Sequence, residues 1–249
     1  MDDKIEYKQC LNCGTSLSGN YCSNCGQSAS VGRISFSDTL SDFFSASFAL
    51  EGPLMRTIKL MIVNPGKLCR EFLEGRRKRY YKPVAFFILL TAIYIILRSW
   101  LDYNPVEENM RSFDNSNLED LSLLKQAGLF MFRYINNFLF LLVLGIALSF
   151  KLFFRKHYRL AEYIAVGFFV GGIYILFGTF SMILNHFTVL NLQSLHLLFL
   201  IIYITISSIS LFKSRSFGGI CKSVLVGIFS LIIYMSLAFG LSIVMVLFK

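Results

Sequence analysis

Residues 76–101 read RRKRYYKPVAFFILLTAIYIILRSWL, and this stretch combines the two features that decide the fold. Five of its first seven residues are basic, and an apolar run broken only by Arg98 begins at Pro83. An α-helix of about 20 apolar residues crosses the hydrocarbon core of a bilayer. The stretch therefore predicts a transmembrane helix over 83–101. Before it lies a basic collar, made of Arg76, Arg77, Lys78, Arg79 and Lys82.

Further apolar runs follow, and together they predict an all-α membrane protein with a five-helix transmembrane bundle over 83–248. The chain is 55% hydrophobic and only 16% charged, whereas a soluble domain is about 25% charged. The third span contains Gly167-x-x-x-Gly171, a pattern that lets another helix approach closely. This pattern predicts tight packing within the bundle and leaves a homo-oligomer open. The spans are expected at 83–101, 134–154, 161–184, 195–212 and 224–248.

The charges of the connecting loops alternate along the chain. The loop over 102–128 carries six acidic residues and two basic ones, and the next loop reads RKHYR over 155–159. The third loop has no Lys or Arg, and the fourth carries Lys213, Arg215 and Lys222. Lys and Arg collect on the cytoplasmic side of membrane proteins. The alternation therefore predicts a cytoplasmic N-terminus and a C-terminus outside.

The N-terminal segment contains four of the six cysteines within sixteen residues, as two C-x-x-C-G patterns. Thiolates are soft ligands that hold Zn²⁺ in a tetrahedron, and a glycine after each pair permits a tight turn. Disulfides are disfavoured in a reducing cytoplasm, and the usual iron–sulfur spacings differ from these, although that alternative stays open. We predict a structural zinc ribbon over 8–28, with Zn²⁺ bound by Cys10, Cys13, Cys22 and Cys25.

The segment over 34–82 is expected to form amphipathic helices that end in the basic collar. Phe36, Leu40 and Phe43 recur at helical spacing. Asn64-Pro65 is typical of a helix start, and Gly75 is typical of a helix end. Such helices either lie flat at the membrane interface or pack on the transmembrane bundle, and both arrangements can hold in part.

A few polar side chains lie in or near the spans. An ionisable residue within a bilayer is a functional hypothesis by default, although a residue near an interface can also extend its side chain to the headgroups. The sequence has no G-x-S-x-G, H-E-x-x-H or P-loop pattern, so we expect no enzymatic activity. A candidate intramembrane polar site would consist of Arg98, Arg133, Asn136 and Glu162.

The order of several short motifs resembles a known family. The motifs are YCSNCGQ over 21–27, NPG over 64–66 and EGRRKRY over 74–80, followed by Pro83 and two phenylalanines. They resemble an uncharacterised bacterial family of multipass inner-membrane proteins with an N-terminal four-cysteine zinc ribbon, classified as a domain of unknown function. The resemblance covers about residues 8–100. It implies the bacterial inner (plasma) membrane as the location, and it brings no established activity.

We expect a non-enzymatic membrane protein whose cytoplasmic zinc ribbon docks a partner protein, so that the bundle serves as a scaffold, anchor or sensor. The net charge of +9 fits basic loops that face anionic lipids, with the basic collar as a headgroup site. The expected partners are therefore the bilayer, its anionic lipids and a cytoplasmic protein, and nucleic acid is not expected. The alternative is a transporter or lipid-handling protein with the ribbon as an accessory.

Overall fold

A computed structural model of the chain describes residues 8–31, 52–103, 123–134, 138–188 and 195–248. Within these ranges the protein is helical and has no β-strand beyond two isolated bridges in the cysteine-rich segment, which agrees with the expected all-α class. Eight α-helices lie in the described ranges. They are α1 over Pro53–Val63, α2 over Pro65–Leu73, α3 over Pro83–Trp100, α4 over Leu123–Arg133, α5 over Leu139–Phe153, α6 over Leu160–Phe187, α7 over Leu195–Phe212 and α8 over Phe217–Leu247.

Four of the described helices, α3, α6, α7 and α8, are long and apolar enough to cross a membrane. A shorter apolar helix, α5, lies where the second span is expected, but it begins at Leu139 rather than near 134. The last helix begins seven residues earlier than predicted, because Ser216 caps it by accepting a hydrogen bond from the Gly219 amide. The helices indicate a multipass membrane protein.

Close approach between helix backbones builds the bundle. A Cβ atom on Gly167 of α6 would lie 2.9 Å from the Val143 carbonyl oxygen of α5, and one on Gly171 would lie 3.1 Å from the Phe87 ring of α3. The tight packing predicted from the G-x-x-x-G pattern is therefore confirmed within the bundle. Gly145 of α5 meets α8 in the same way, 2.9 Å from the Ser230 carbonyl oxygen.

Three basic segments meet at one end of the bundle. Phe154 stacks on Phe212 with ring centroids 3.9 Å apart, so the loops after α5 and after α7 lie side by side. The start of α2 lies against the end of α7, since a Cβ atom on Gly66 would clash with the Leu211 amide nitrogen. We refer to this end, formed by the basic collar and the loops over 154–159 and 213–216, as the basic end.

The helix α2 packs on the bundle rather than standing apart from it. Asn64 caps it by accepting from the Lys67 amide at 3.1 Å, which confirms the predicted helix start. Phe72 is buried edge-on against Phe169, with centroids 5.3 Å apart. Arg70 donates to the Leu211 carbonyl oxygen at 2.9 Å and also to that of Ser210, so it satisfies carbonyls left free at the end of α7.

The helix α1 has one face on the bundle and one face exposed. Thr57 and Met61 are buried, and the Tyr203 hydroxyl donates to the Met61 carbonyl oxygen at 3.0 Å. The outer face carries Met55, Ile62 and Val63, which are more than half exposed, beside two basic residues. Packing of α1 on the bundle is therefore observed, and its apolar outer face with a basic edge is of the kind that interfacial helices carry. The part of the predicted amphipathic segment over 34–51 lies outside the described residues.

Candidate metal centre and basic end of the bundle

The cysteine-rich segment consists of two turns of the same geometry, twelve residues apart. The amide of Gly14 donates to the Cys10 carbonyl oxygen at 2.8 Å, and the amide of Gly26 donates to the Cys22 carbonyl oxygen at 2.8 Å. Gly14 has φ +80° and Gly26 has φ +69°, a backbone region that favours glycine. The glycine after each cysteine pair therefore folds the chain back on itself.

Further backbone bonds repeat with the same twelve-residue offset. The Cys10 amide donates to the Thr15 carbonyl oxygen at 2.8 Å, and the Cys22 amide donates to the Gln27 carbonyl oxygen at 2.8 Å. Each turn is closed by one antiparallel bridge, between Gln9 and Ser16 in the first and at the equivalent residues in the second. The two turns thus present their cysteines as two matching halves of one site.

The four sulfurs converge at the spacing that a tetrahedral metal ion requires. The Cys10 and Cys25 Sγ atoms lie 3.6 Å apart, the Cys13 and Cys22 Sγ atoms lie 3.5 Å apart, and all four lie within 4.8 Å of one another. Metal–sulfur bonds of about 2.3 Å in a tetrahedron separate the sulfurs by about 3.8 Å. All six cysteines of the chain are described, and none forms a disulfide. The cluster is compatible with a metal site.

The four thiols have different surroundings. Cys10 and Cys22 are buried, whereas Cys13 is exposed. Burial raises the pKa of the Cys10 thiol to about 11. The Thr15 hydroxyl, 3.3 Å from the Cys13 Sγ, lowers the pKa of that thiol to about 6 with help from the Thr15 backbone. Because a metal binds thiolates, Cys13 offers a more readily deprotonated ligand than Cys10 does.

The cysteine-rich segment is joined to the basic collar through the buried side chain of Gln27. The Gln27 Nε2 donates to the Gly75 carbonyl oxygen at 2.9 Å, and the Gln27 Oε1 accepts from the Lys78 amide at 3.1 Å. Leu11 lies over Gly75, where a Cβ atom would be 2.7 Å from its Cδ1. Gln27 was missed as a functional residue by the sequence analysis, although it ends the YCSNCGQ motif.

Comparison with protein families supports part of the predicted resemblance. Residues 51–95 match a family described as "Protein of unknown function (DUF3667)". The match runs from the start of α1 into α3 and so includes the basic collar, which Gln27 of the cysteine-rich segment contacts. No curated protein and no solved structure matches the chain. The chain is therefore similar, over this segment, to a family of unknown function.

The basic collar is held in place by one carboxylate and two buried tyrosines. Glu71 lies 3.7 Å from Arg76 and 3.9 Å from Arg79, and it accepts a hydrogen bond from the Tyr80 hydroxyl. Burial, together with Glu71, raises the pKa of Tyr80 to about 12. The Tyr81 amide donates to the Thr57 hydroxyl at 2.9 Å. The charged groups of Arg76, Lys78 and Arg79 remain exposed, while Arg77 and Lys82 are half-buried.

The residues of the candidate intramembrane polar site do not form one cluster in the described part of the chain. Arg98, near the end of α3, donates to the Tyr103 carbonyl oxygen at 3.2 Å. Glu162 lies at the basic end, where its carboxylate accepts from the Arg159 amide at 2.7 Å and caps α6. Because α3 and α6 run parallel, Arg98 and Glu162 stand at opposite ends of the bundle. The side chain of Arg133 and all of Asn136 lie outside the described residues.

Proposed function

We propose that this chain is a non-enzymatic multipass membrane protein whose metal-bound ribbon docks a partner protein at the membrane face. The observation that supports this proposal is the contact between the ribbon and the collar. There the Gln27 side chain forms hydrogen bonds with the backbone of Gly75 and of Lys78. Among the described residues, Tyr21 of the cysteine-rich segment is 70% exposed. Exposed tyrosines are frequent anchors of protein interfaces. The bundle then serves as a scaffold, anchor or sensor.

We propose Zn²⁺ as the metal of the ribbon. The support is a set of four cysteine sulfurs with tetrahedral spacing, and four thiolates form a closed site of the structural zinc type. Such a site leaves no position for substrate. A segment as short as 8–28 cannot bury a large core, so metal binding would supply much of its folding free energy.

We propose that the shorter helix α5 also crosses the membrane, which gives five spans in all, and that the basic end is cytoplasmic. The α5 helix has 15 residues, or about 23 Å, which a bilayer can accommodate by local thinning. The gathering of three basic segments at one end supports a cytoplasmic orientation, since Lys and Arg collect on that side. With the N-terminus there, the C-terminus lies outside. The family resemblance supports the plasma membrane of a bacterium as the location.

The test is a pull-down of the full-length protein from gently solubilised membranes. We expect wild type and the Cys221→Ser control to recover a specific partner, whereas the Cys22→Ser/Cys25→Ser variant loses both the partner and the zinc. The Tyr21→Ala variant should keep its zinc and lose the partner, because the ribbon stays folded but its exposed anchor is gone. If all four forms recover the same proteins, the ribbon is not a docking module. The bundle would then carry the function, as a transporter or lipid-handling protein.

A further inference from the structure

A cavity of about 660 Å³ opens at the basic end, between the loop after α5 and the start of α8. It is separate from the ribbon and from the basic collar, and none of its twelve lining residues is acidic. Its apolar wall includes Leu152, which is 59% exposed at the end of α5. The polar part of the lining consists of Arg155, Lys156, His157, Ser214, Ser216 and Lys222.

The loop that carries three of these polar groups is fixed from two sides. The His157 ring lies edge-on to Phe212, with centroids 5.0 Å apart, beside the stack that Phe212 forms with Phe154. The Lys151 ammonium donates to the Arg155 carbonyl oxygen at 3.0 Å and to the Tyr158 carbonyl oxygen at 3.1 Å. The cations of this loop are therefore presented from a constrained backbone, which limits the entropy lost when they bind an anion.

The facing wall adds hydroxyl groups and the start of α8. Ser214 and Ser216 line the cavity beside Gly218 and Gly219, and Lys222 follows one turn later. The first amides of a helix lack partners within the helix and carry a partial positive charge, so they strengthen the attraction that the side-chain cations exert on an anion. Ser and Lys side chains are ordinary hydrogen-bond donors to phosphate oxygens.

We propose that this cavity binds a phosphate group, carried by the headgroup of an anionic membrane lipid. Cations and hydroxyl groups surround the space, and no carboxylate lines it to repel an anion. The apolar wall at Leu152 and Phe153 continues into a helix surface on which Leu148 is 42% exposed. A ligand with an anionic head and an apolar tail therefore matches both parts of the site. A free phosphate would match the polar part alone.

The test compares three forms of the purified full-length protein in detergent. The cavity variant is Arg155→Gln/Lys156→Gln/Lys222→Gln. The matched control, Lys67→Gln/Lys213→Gln/Arg215→Gln, removes three charges from the same end outside the cavity lining. Native mass spectrometry measures retention of added phosphatidylglycerol and of phosphatidylcholine. Calorimetry measures binding of inorganic phosphate.

We expect wild type and the control to retain phosphatidylglycerol over phosphatidylcholine, and the cavity variant to retain it at least tenfold less. A second outcome is that wild type and the control bind inorganic phosphate but retain neither lipid, while the cavity variant binds no phosphate. That outcome would overturn the lipid assignment and would assign the site to a soluble phosphate. Equal retention of both lipids, equal binding by the cavity variant, or no binding of any probe by wild type would each overturn the proposal.

A second variant covers the case in which the triple substitution fails to fold. Gly218 has open space where a Cβ atom would lie, and an acidic side chain in the first turn of a helix is stabilising. Gly218→Asp should therefore fold and should retain at least tenfold less phosphatidylglycerol than wild type, because its carboxylate competes for the cations. Gly218→Asn, the neutral control, should lose much less. Wild-type retention by Gly218→Asp would overturn the proposal.

Discussion

The side-chain amide of Gln27 donates a hydrogen bond to the carbonyl oxygen of Gly75, 2.9 Å away. Gly75 has φ +103° and ends the helix α2, so its carbonyl points at the ribbon rather than along the helix. The same Gln27 side chain accepts from the Lys78 amide, so it bridges this turn, in which the Gly75 carbonyl oxygen also accepts from the Arg77 amide at 2.9 Å. One side chain beside the four-cysteine cluster thereby links the cysteine-rich segment to the basic collar.

Gln27→Ala should loosen this contact while leaving the metal bound. The substitution removes both hydrogen bonds and leaves the Gly75 carbonyl oxygen with the Arg77 amide alone, 2.9 Å away. A typical hydrogen bond contributes about 0.5–1.5 kcal/mol net. Hydrogen-exchange mass spectrometry should show faster exchange in a peptide over 75–82. Asn24→Ala is the control, because Asn24 contacts only the exposed Thr15 hydroxyl among its described side-chain hydrogen bonds. Unchanged exchange in Gln27→Ala would contradict the assigned role.

Metal analysis of the purified protein should find about one zinc ion per chain, held by the single four-cysteine cluster found among the described residues. Cys22→Ser/Cys25→Ser should contain none, because two ligands cannot replace a tetrahedral set. Cys221→Ser removes an exposed cysteine of α8 and should keep the full content. Iron in place of zinc, detected with the absorbance of an iron–sulfur cluster, would show that the wrong metal was proposed.

Gly145→Ala should destabilise the bundle. The added methyl group would lie 2.9 Å from the Ser230 carbonyl oxygen, and a backbone contact of this kind can be relieved only if α5 and α8 move apart. Overpacking of this type costs about 1–3 kcal/mol. Thermal unfolding in detergent should show a lower midpoint. Gly240→Ala in α8 has open space around its Cβ position, so its midpoint should stay the same or rise.

Cysteine labelling should report the orientation. Cys221 is exposed at the basic end, whereas Cys69 is 2% exposed in α2. A membrane-impermeant maleimide should label Cys221 in opened membranes but not in intact cells, and Cys221→Ser should lose that label. Cys69 should react only after denaturation. Labelling of Cys221 in intact cells would place the basic end outside and would contradict the proposed orientation.

Local patterns in the sequence predicted the elements that depend on few residues. The helix start at Asn64 follows from an Asn-Pro pair, and the turns after the cysteine pairs follow from Gly14 and Gly26, which need positive φ. The apolar runs predicted most of the membrane-length helices because their lengths match a bilayer. The helix α8 begins at Phe217, before the predicted span, because Lys222 interrupts the apolar run but not the helix.

Contacts between segments that are distant in the sequence could not be predicted from it. Gln27 meets Gly75 across 48 positions, and Arg70 meets Leu211 across 141. No spacing rule connects such pairs, because the fold alone brings them together. The cavity has the same origin, since Arg155 and Lys222 belong to separate basic segments that read as topology signals in the sequence. Conversely, Arg98 and Glu162 share a polar character but end on opposite ends of the bundle.

The helices differ widely in length, and this has a consequence for the surrounding lipid. The α8 helix has 31 residues and α7 has 18, which correspond to about 46 Å and about 27 Å at 1.5 Å per residue. A hydrocarbon core is about 30 Å thick, so we expect α8 to tilt or protrude and the bilayer to thin beside the described length of α7. Hydrophobic mismatch of opposite sign on one molecule makes the local bilayer uneven. The protein should therefore respond to acyl-chain length, with shorter chains favouring the surroundings of α7 and longer chains those of α8.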